Sequence, residues 1–227
     1  MAMEQQSCAQ ESSTFQQFLQ GKPRIILGSA SSSRRGIMDE LAQQYSFMYE
    51  VATADIDEQA IGCRQGDWEE LVLLLAKAKA SAIIAKLTAA AGCQPPQGFL
   101  ITCDQVVVCN KTVLEKPTSA EQARAFIRGY STAPASTVGS VVVTNLSTGQ
   151  QCEGVDTATI TFHTIPDDVT EQLIKEGNVF YCAGGLMVEH PLVSPLIKDR
   201  QGSLDSIMGL SKRLVIQLLP AATDVDS

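Results

Sequence analysis

Apolar and polar positions follow two periods along this chain, and the switches between them outline its elements. Residues 24–28 are a short apolar run ending at Gly28, which predicts a strand. Residues 33–44 place Ile37, Met38 and Leu41 on one side at helical spacing. Residues 47–51 predict a second strand. Asp67-Trp68-Glu69-Glu70 is a capping-box start. The helix it opens is expected to run to about residue 87, with Leu71, Leu74, Leu75, Ala78, Ala82 and Ala85 on its apolar face. Gly92, Pro95, Pro96 and Gly98 then break the chain. Residues 99–108 are almost continuously apolar, the pattern of a strand buried on both faces. Thr118 and Glu121 suggest a second capping box, opening a helix to about residue 128. Residues 138–146 and 155–164 predict strands around a turn at 147–150, and in the second Ala158, Ile160 and Phe162 alternate with Thr157, Thr159 and Thr161. Pro166 starts a short helix that Gly177 ends, and a last helix at 210–219 is expected to stop at Pro220. This mix of β-α-β units with a hairpin predicts an α/β fold, a mixed central sheet flanked by helices. Polar, Gln/Ser-rich residues 1–22 are expected to be a disordered tail, residues 23–220 one domain, and residues 221–227 a C-terminal tail.

Composition narrows the function. A chain of 227 residues with 44% hydrophobic and 19% charged positions has ample material for a core. The net charge is −8 and no basic run occurs, which argues against binding a nucleic-acid polymer. Any anionic ligand must therefore be held by local arginines, lysines or a metal. Seven cysteines, an odd number with no C-x-x-C pair, suggest reduced structural thiols in a cytoplasmic protein rather than metal ligands. No apolar run approaches the roughly 18 residues of a membrane span, and the first residues lack signal-peptide or transit-peptide character. His163 and His190 form no zinc pattern, and no Walker loop is present.

The chemistry concentrates where polar residues interrupt the apolar pattern. Gly28-Ser29-Ala30-Ser31-Ser32-Ser33-Arg34-Arg35 joins the first strand to a helix. Free N–H groups, the helix dipole, hydroxyls and two guanidiniums would there make an anion site, if the segment is more than a serine-rich surface loop. Asp104 interrupts the buried strand, where a carboxylate costs several kcal/mol unless it is paired, protonated or metal-bound. It is either a metal ligand or general base at a central strand, or an acid capping a local amide. Lys79 falls on the shoulder of its helix's apolar face and Lys77 on the opposite side. Lys79 thus either snorkels past the core or reaches an anion in a cleft. Lys116-Pro117 follows an Asn110-Lys111 turn, close in sequence to Asp104. Arg34, Arg35, Lys79 and Lys116 could neutralise a triphosphate, while Glu58 and Asp104 could hold Mg²⁺ or Mn²⁺.

This ordered set resembles the Maf family of nucleoside triphosphate pyrophosphatases. The family's Ser-x-Ser-Pro-x-Arg-Arg motif has its counterpart in Ser29 to Arg35, its acidic loop in Asp57-Glu58, and its lysine helix in Leu75-Ala76 with Lys79-Ala80. Asp104-Gln105-Val106, Lys116-Pro117, Cys182-Ala183-Gly184-Gly185 and Gly209-Leu210 follow in the family's order. The chain departs from the motifs at Ser32, where the family has proline, at Ser33, and at Ser131-Thr132, where it has Ser-Gly. The resemblance implies two lobes around a nucleotide cleft, a fold related to the inosine-triphosphatase type, and cleavage between the α and β phosphates with Mg²⁺ or Mn²⁺. It implies Asp104 as proton acceptor and metal ligand, Glu58 as metal ligand, and Ser29, Ser31, Arg34, Arg35, Lys79 and Lys116 as substrate-binding residues. Gln105 and Glu189 resemble the branch that prefers 7-methyl-GTP over the branch that takes dTTP and UTP. A carboxylate at Glu189 suits a guanine edge or a cationic methylated base. The expected partner is thus a nucleoside triphosphate, with no nucleic-acid polymer and no membrane, in a monomer or a homodimer.

Overall fold

The computed structural model describes residues 2–92 and 95–223, with side chains from residue 9 onward. Helix α1 (Ala2–Gln20) leads into strand β1 (Ile25–Gly28), helix α2 (Ser32–Tyr45) and strand β2 (Glu50–Ala52). Helix α3 (Trp68–Ala91) starts on Asp67, whose carboxylate accepts from the N–H groups of Glu69 and Glu70. Strand β3 (Phe99–Cys109) turns at Asn110-Lys111, both at positive φ, into the short strand β4 (Thr112–Leu114). Helix α4 (Ala120–Tyr130) and the hairpin of β5 (Ala135–Asn145) with β6 (Gln151–Phe162) follow. Helix α5 (Asp167–Glu176), strand β7 (Ile197–Gln201) and helices α6 (Leu204–Met208) and α7 (Lys212–Ala221) complete the order.

The strands form one mixed sheet in the order β2-β1-β3-β5-β6-β7, with β4 also paired to β3. β1 runs parallel to β2 and β3, while β5, β6 and β7 are antiparallel to their neighbours. The register leaves a gap. β1 ends where Gly28 meets Thr102, and β4 begins where Leu114 meets Val107. Residues 103–106 of β3 therefore have no strand beside them on that side, and side chains of both sheet faces can reach one opening.

Alternation along β3 puts two polar residues at this gap. On one face Ile101 and Cys103 pack with β1, α2 and α7, and Val107 and Cys109 pack with α4 and β6, with Gln105 between the two clusters. On the other face Leu100 packs with Ala80 and Ile83, and Val106 and Val108 with Leu71, Val72 and Leu75. Asp104 falls between those two clusters. The polar band continues across the sheet, since Asp104 pairs with Ser140, Gln105 with Gly139, and Gly139 with Asp156. The apolar interior is thus divided at a polar waist, the physical form of the expected two lobes.

Several expectations are corrected. The disordered tail expected over residues 1–22 is instead helical at Ala2–Gln20, and α1 buries Phe15 completely against Tyr45 and Phe47. Phe15, Phe18 and Leu19 form a short i, i+3, i+4 set that the surrounding glutamines mask. The domain also runs past residue 220, since Ala222 is fully buried and Pro220 lies inside α7. Residues 224–227 lie outside the described residues. The buried face of α3 is Leu71, Val72, Leu75, Ala76, Lys79, Ala80 and Ile83, while Leu74 is exposed. This helix is apolar around most of its circumference, so spacing alone could not choose the face. Helix α4 is capped by Ser119, not Thr118. Cys8 and Cys93 lie outside the residues whose side chains are described.

Candidate active site

A cleft of about 650 Å³ opens at the gap in β3. One wall is the turn after β1. Ser29 accepts a bond from the Ser31 N–H at 3.2 Å, and Ser31 caps α2 by accepting from the Arg34 N–H at 3.4 Å. This directs the first turn of a 14-residue helix at the cleft, with its positive dipole end and unpaired N–H groups. Arg34 donates through Nε to the Gly209 carbonyl at 2.9 Å and through Nη1 to the Cys103 carbonyl at 3.3 Å. It therefore fastens the open margin of β3 to the turn after α6. Gly209 is required there. Its φ is +110°, and a Cβ would lie 2.6 Å from Gln105 Oε1. Gln105 itself donates to the Ile207 carbonyl at 2.8 Å. Asp156 steadies this turn from below, accepting from Ser206 at 2.5 Å. Burial pushes its carboxyl up, but bonds from Ser206 and Ser211 and the Arg213 charge hold it below the usual carboxylate range.

At the waist, the Lys79 ammonium lies 2.5 Å from Asp104 Oδ1 and 3.0 Å from Glu58 Oε1. Lys79 and Asp104 are buried, and Glu58 is half exposed at the cleft edge. The geometry removes the two bland alternatives, in which Asp104 caps a local amide or Lys79 snorkels to solvent. Lys77 instead pairs with Glu153 on the surface. Arg64 braces the Glu58 loop, donating to the carbonyls of Glu58 at 2.7 Å and of Ile61, and to Glu115 Oε1 at 3.0 Å. It ties the loop carrying Glu58 to the segment carrying Lys116.

The far end of the cleft is built by residues 178–189. Tyr130 donates to the Gly184 carbonyl at 2.6 Å, and the Gly184 N–H donates to the Glu115 carbonyl at 3.1 Å. Lys116, Cys182, Met187 and Glu189 line this end. Burial, then the Glu189 charge, push the Cys182 thiol up to about 11, with Lys116 opposing. Cys182 is therefore a neutral thiol near neutral pH and not a nucleophile. It also places Glu189 and Lys116 within electrostatic range of one group.

The structure brings Ser29, Ser31, Arg34, Glu58, Lys79, Asp104, Gln105, Lys116 and Glu189 to one cleft. It does not bring Arg35, whose exposed side chain lies off the cleft near Tyr49 and Asp39. Adjacent helical residues diverge by about 100°, so only one member of an Arg-Arg pair can face the cleft. Arg64, Tyr130 and Gly209's steric role had no sequence signal, because each depends on a group distant in the chain: Glu115, Gly184 and Gln105 respectively. No helix among the described residues is long and apolar enough to cross a membrane.

A family model described as Maf-like protein matches residues 24–222. The chain is 36% identical over 195 residues to a 7-methyl-GTP pyrophosphatase of Dictyostelium discoideum, covering 86% of this chain and 95% of that one. It is 29% identical over 196 residues to a 7-methyl-GTP pyrophosphatase of Idiomarina loihiensis, covering 86% and 92%. It is also 26% identical over 200 residues to a dTTP/UTP pyrophosphatase of Deinococcus radiodurans, covering 88% and 93%.

Proposed function

Because this chain belongs to the Maf family, we propose that its cleft hydrolyses a nucleoside triphosphate between the α and β phosphates. The observation that carries this reading is the buried Lys79–Asp104 pair joined by Glu58, facing the N-terminal turn of α2. The pair lies at a gap in the sheet beside the N-terminus of α2, the end of a helix that favours a phosphate.

The positions and the family resemblance support the following roles. The Ser29–Ser33 turn, Arg34, Lys79 and Lys116 bind the phosphate chain and offset its charge. Asp104 accepts a proton from the attacking water. The water oxygen bonds to the α phosphorus, the bond to the β phosphate breaks, and the products are a nucleoside monophosphate and pyrophosphate.

A divalent cation fits the donor set. Glu58 and Asp104 are hard oxygen donors meeting at one ammonium, and no third His, Cys, Asp or Glu joins them among the described residues. Mg²⁺ and Mn²⁺ suit such a site, since Mg²⁺ takes one or two carboxylates and completes its shell with phosphate oxygens and water. Bound there, the cation supplies charge neutralisation on the phosphates. The buried thiols of Cys103 and Cys109 suit a reducing, cytoplasmic setting.

For the base, 7-methyl-GTP is the proposed preferred substrate. Glu189 at the far end of the cleft can accept hydrogen bonds from a guanine edge and attract a cationic ring. The test is pyrophosphate release from 7-methyl-GTP, GTP, dTTP and UTP, with and without excess EDTA. Pyrophosphate plus monophosphate, lost on chelation, is expected. Orthophosphate alone, or full activity in EDTA, would overturn the reading. A preference of about tenfold or more for dTTP and UTP would leave the pyrophosphatase and replace the base assignment.

A further inference from the structure

Among the described residues the large apolar side chains left exposed are Met48, Val51, Leu74, Tyr181 and Leu204. Scattered exposed apolar residues need no explanation. Tyr181 differs from the other four because it alone lines the cleft, and it is 81% exposed. Its position is imposed by a short 3₁₀ turn, Asn178–Tyr181. Residues three apart in such a turn project to the same side. Asn178 and Tyr181 accordingly both line the cleft, while Val179 is buried and Phe180 packs against the α4–β6 cluster. The turn is thus anchored by two apolar residues and holds up an aromatic ring that cannot retreat into the core. The same end of the cleft carries Glu189, and its polar counterpart, the Lys79–Asp104 centre, lies at the sheet gap.

We infer that Tyr181 is the stacking platform for the base and a specificity-determining residue for a cationic purine. An aromatic face attracts a cation through its quadrupole, and any base through stacking. A guanine alkylated at N7 carries positive charge on its ring, so it gains from both terms and from the Glu189 carboxylate. Unmodified guanine gains from stacking and from hydrogen bonds to Glu189, without the charge. The inference deepens the pyrophosphatase reading and rests on it.

Two substitutions separate the ring face from mere bulk. Tyr181→Leu keeps an apolar side chain and removes the π face, while Tyr181→Phe keeps the face and removes the hydroxyl. Calorimetric titration of the full chain with 7-methyl-GMP and with GMP reads base binding without catalysis. Tyr181→Leu is expected to weaken 7-methyl-GMP about tenfold and GMP less, with Tyr181→Phe within about twofold of wild type. In turnover of 7-methyl-GTP the same loss should appear in KM, with kcat little changed. The inference is overturned if the wild type binds neither nucleotide. It is overturned equally if Tyr181→Leu weakens both alike or neither, or if Tyr181→Phe behaves as Tyr181→Leu. Failure of the pyrophosphatase reading is seen separately, as absence of pyrophosphate release from every triphosphate by the wild type.

Discussion

Asp104 and Lys79 form the contact on which the site turns, and each is expected to fail differently when replaced. Asp104→Asn keeps the volume and a hydrogen-bond acceptor beside Lys79, so the protein should fold. It removes the proposed proton acceptor and proposed metal donor, and kcat should fall on the order of 10²-fold or more. Near-wild-type kcat would make Asp104 a structural residue. Lys79→Met leaves a buried carboxylate without its partner and should cost about 3 kcal/mol in denaturant unfolding at neutral pH. Lys77→Met removes only the exposed pair with Glu153, which is worth less than about 1 kcal/mol. Equal losses from the two lysines would contradict the burial of Lys79. Glu189→Gln should change which base is preferred more than it changes the maximal rate. A carboxylate that loses its charge loses its advantage for donors and cations, an effect of a few kcal/mol at most. An unaltered ranking of 7-methyl-GTP against UTP would remove Glu189 from base selection. The sequence showed Asp104 and Lys79 because each breaks an apolar pattern, and Glu189 through the family resemblance. It did not show Arg64, since a loop arginine surrounded by polar residues breaks nothing.

Helix α2 shows how an element absorbs a departure from a family motif. Ser32, where the motif has proline, is the first residue of α2, and Ser31 before it caps the helix at φ −67° and ψ 127°. That backbone is what a residue preceding proline prefers, and the first helical position needs no N–H bond. Serine therefore leaves the capping geometry intact and loses only rigidity. Ser32→Pro should stabilise the protein by about 0.4–1 kcal/mol through the unfolded state, read as a higher Tm with unchanged substrate ranking. A lower Tm would show that the turn has a conformation proline cannot adopt. Helix α3 teaches the converse. Its capping by Asp67 was legible from local spacing, but its buried face was not, because alanines and leucines surround it almost evenly. The sheet selected the side carrying Val72, Lys79 and Ile83.

In the whole molecule, α1 is a part of the core although it precedes the family-matched region, residues 24–222. Phe15 is fully buried, with its ring centroid 5.0 Å from Tyr45, and Gln217 of α7 donates to Glu11 at 2.8 Å. Phe15→Ala should cost about 3–5 kcal/mol of unfolding free energy. It should leave KM little changed, because α1 is remote from the cleft. A loss below about 1 kcal/mol would return α1 to the status of an appendage, the range of ordinary surface substitutions.

Apart from Gln105 and Glu189, reached through the family resemblance, the sequence by itself indicated the fold class, most element positions and most of the candidate polar residues that line the cleft. Those are local properties: periodicity, caps, and polar residues standing in apolar runs. The Asn110-Lys111 turn, the strand at 99–108 and the alternation at 158–162 all follow from spacing within one segment. The tertiary structure decided what depends on distant partners. Strand register alone opened the gap at residues 103–106, where both faces of the sheet reach one cleft. It selected Arg34 over Arg35, set Lys79 against Asp104 and Glu58, and buried a polar N-terminal segment. These outcomes come from packing between elements far apart in the chain, whose geometry no single stretch of sequence encodes.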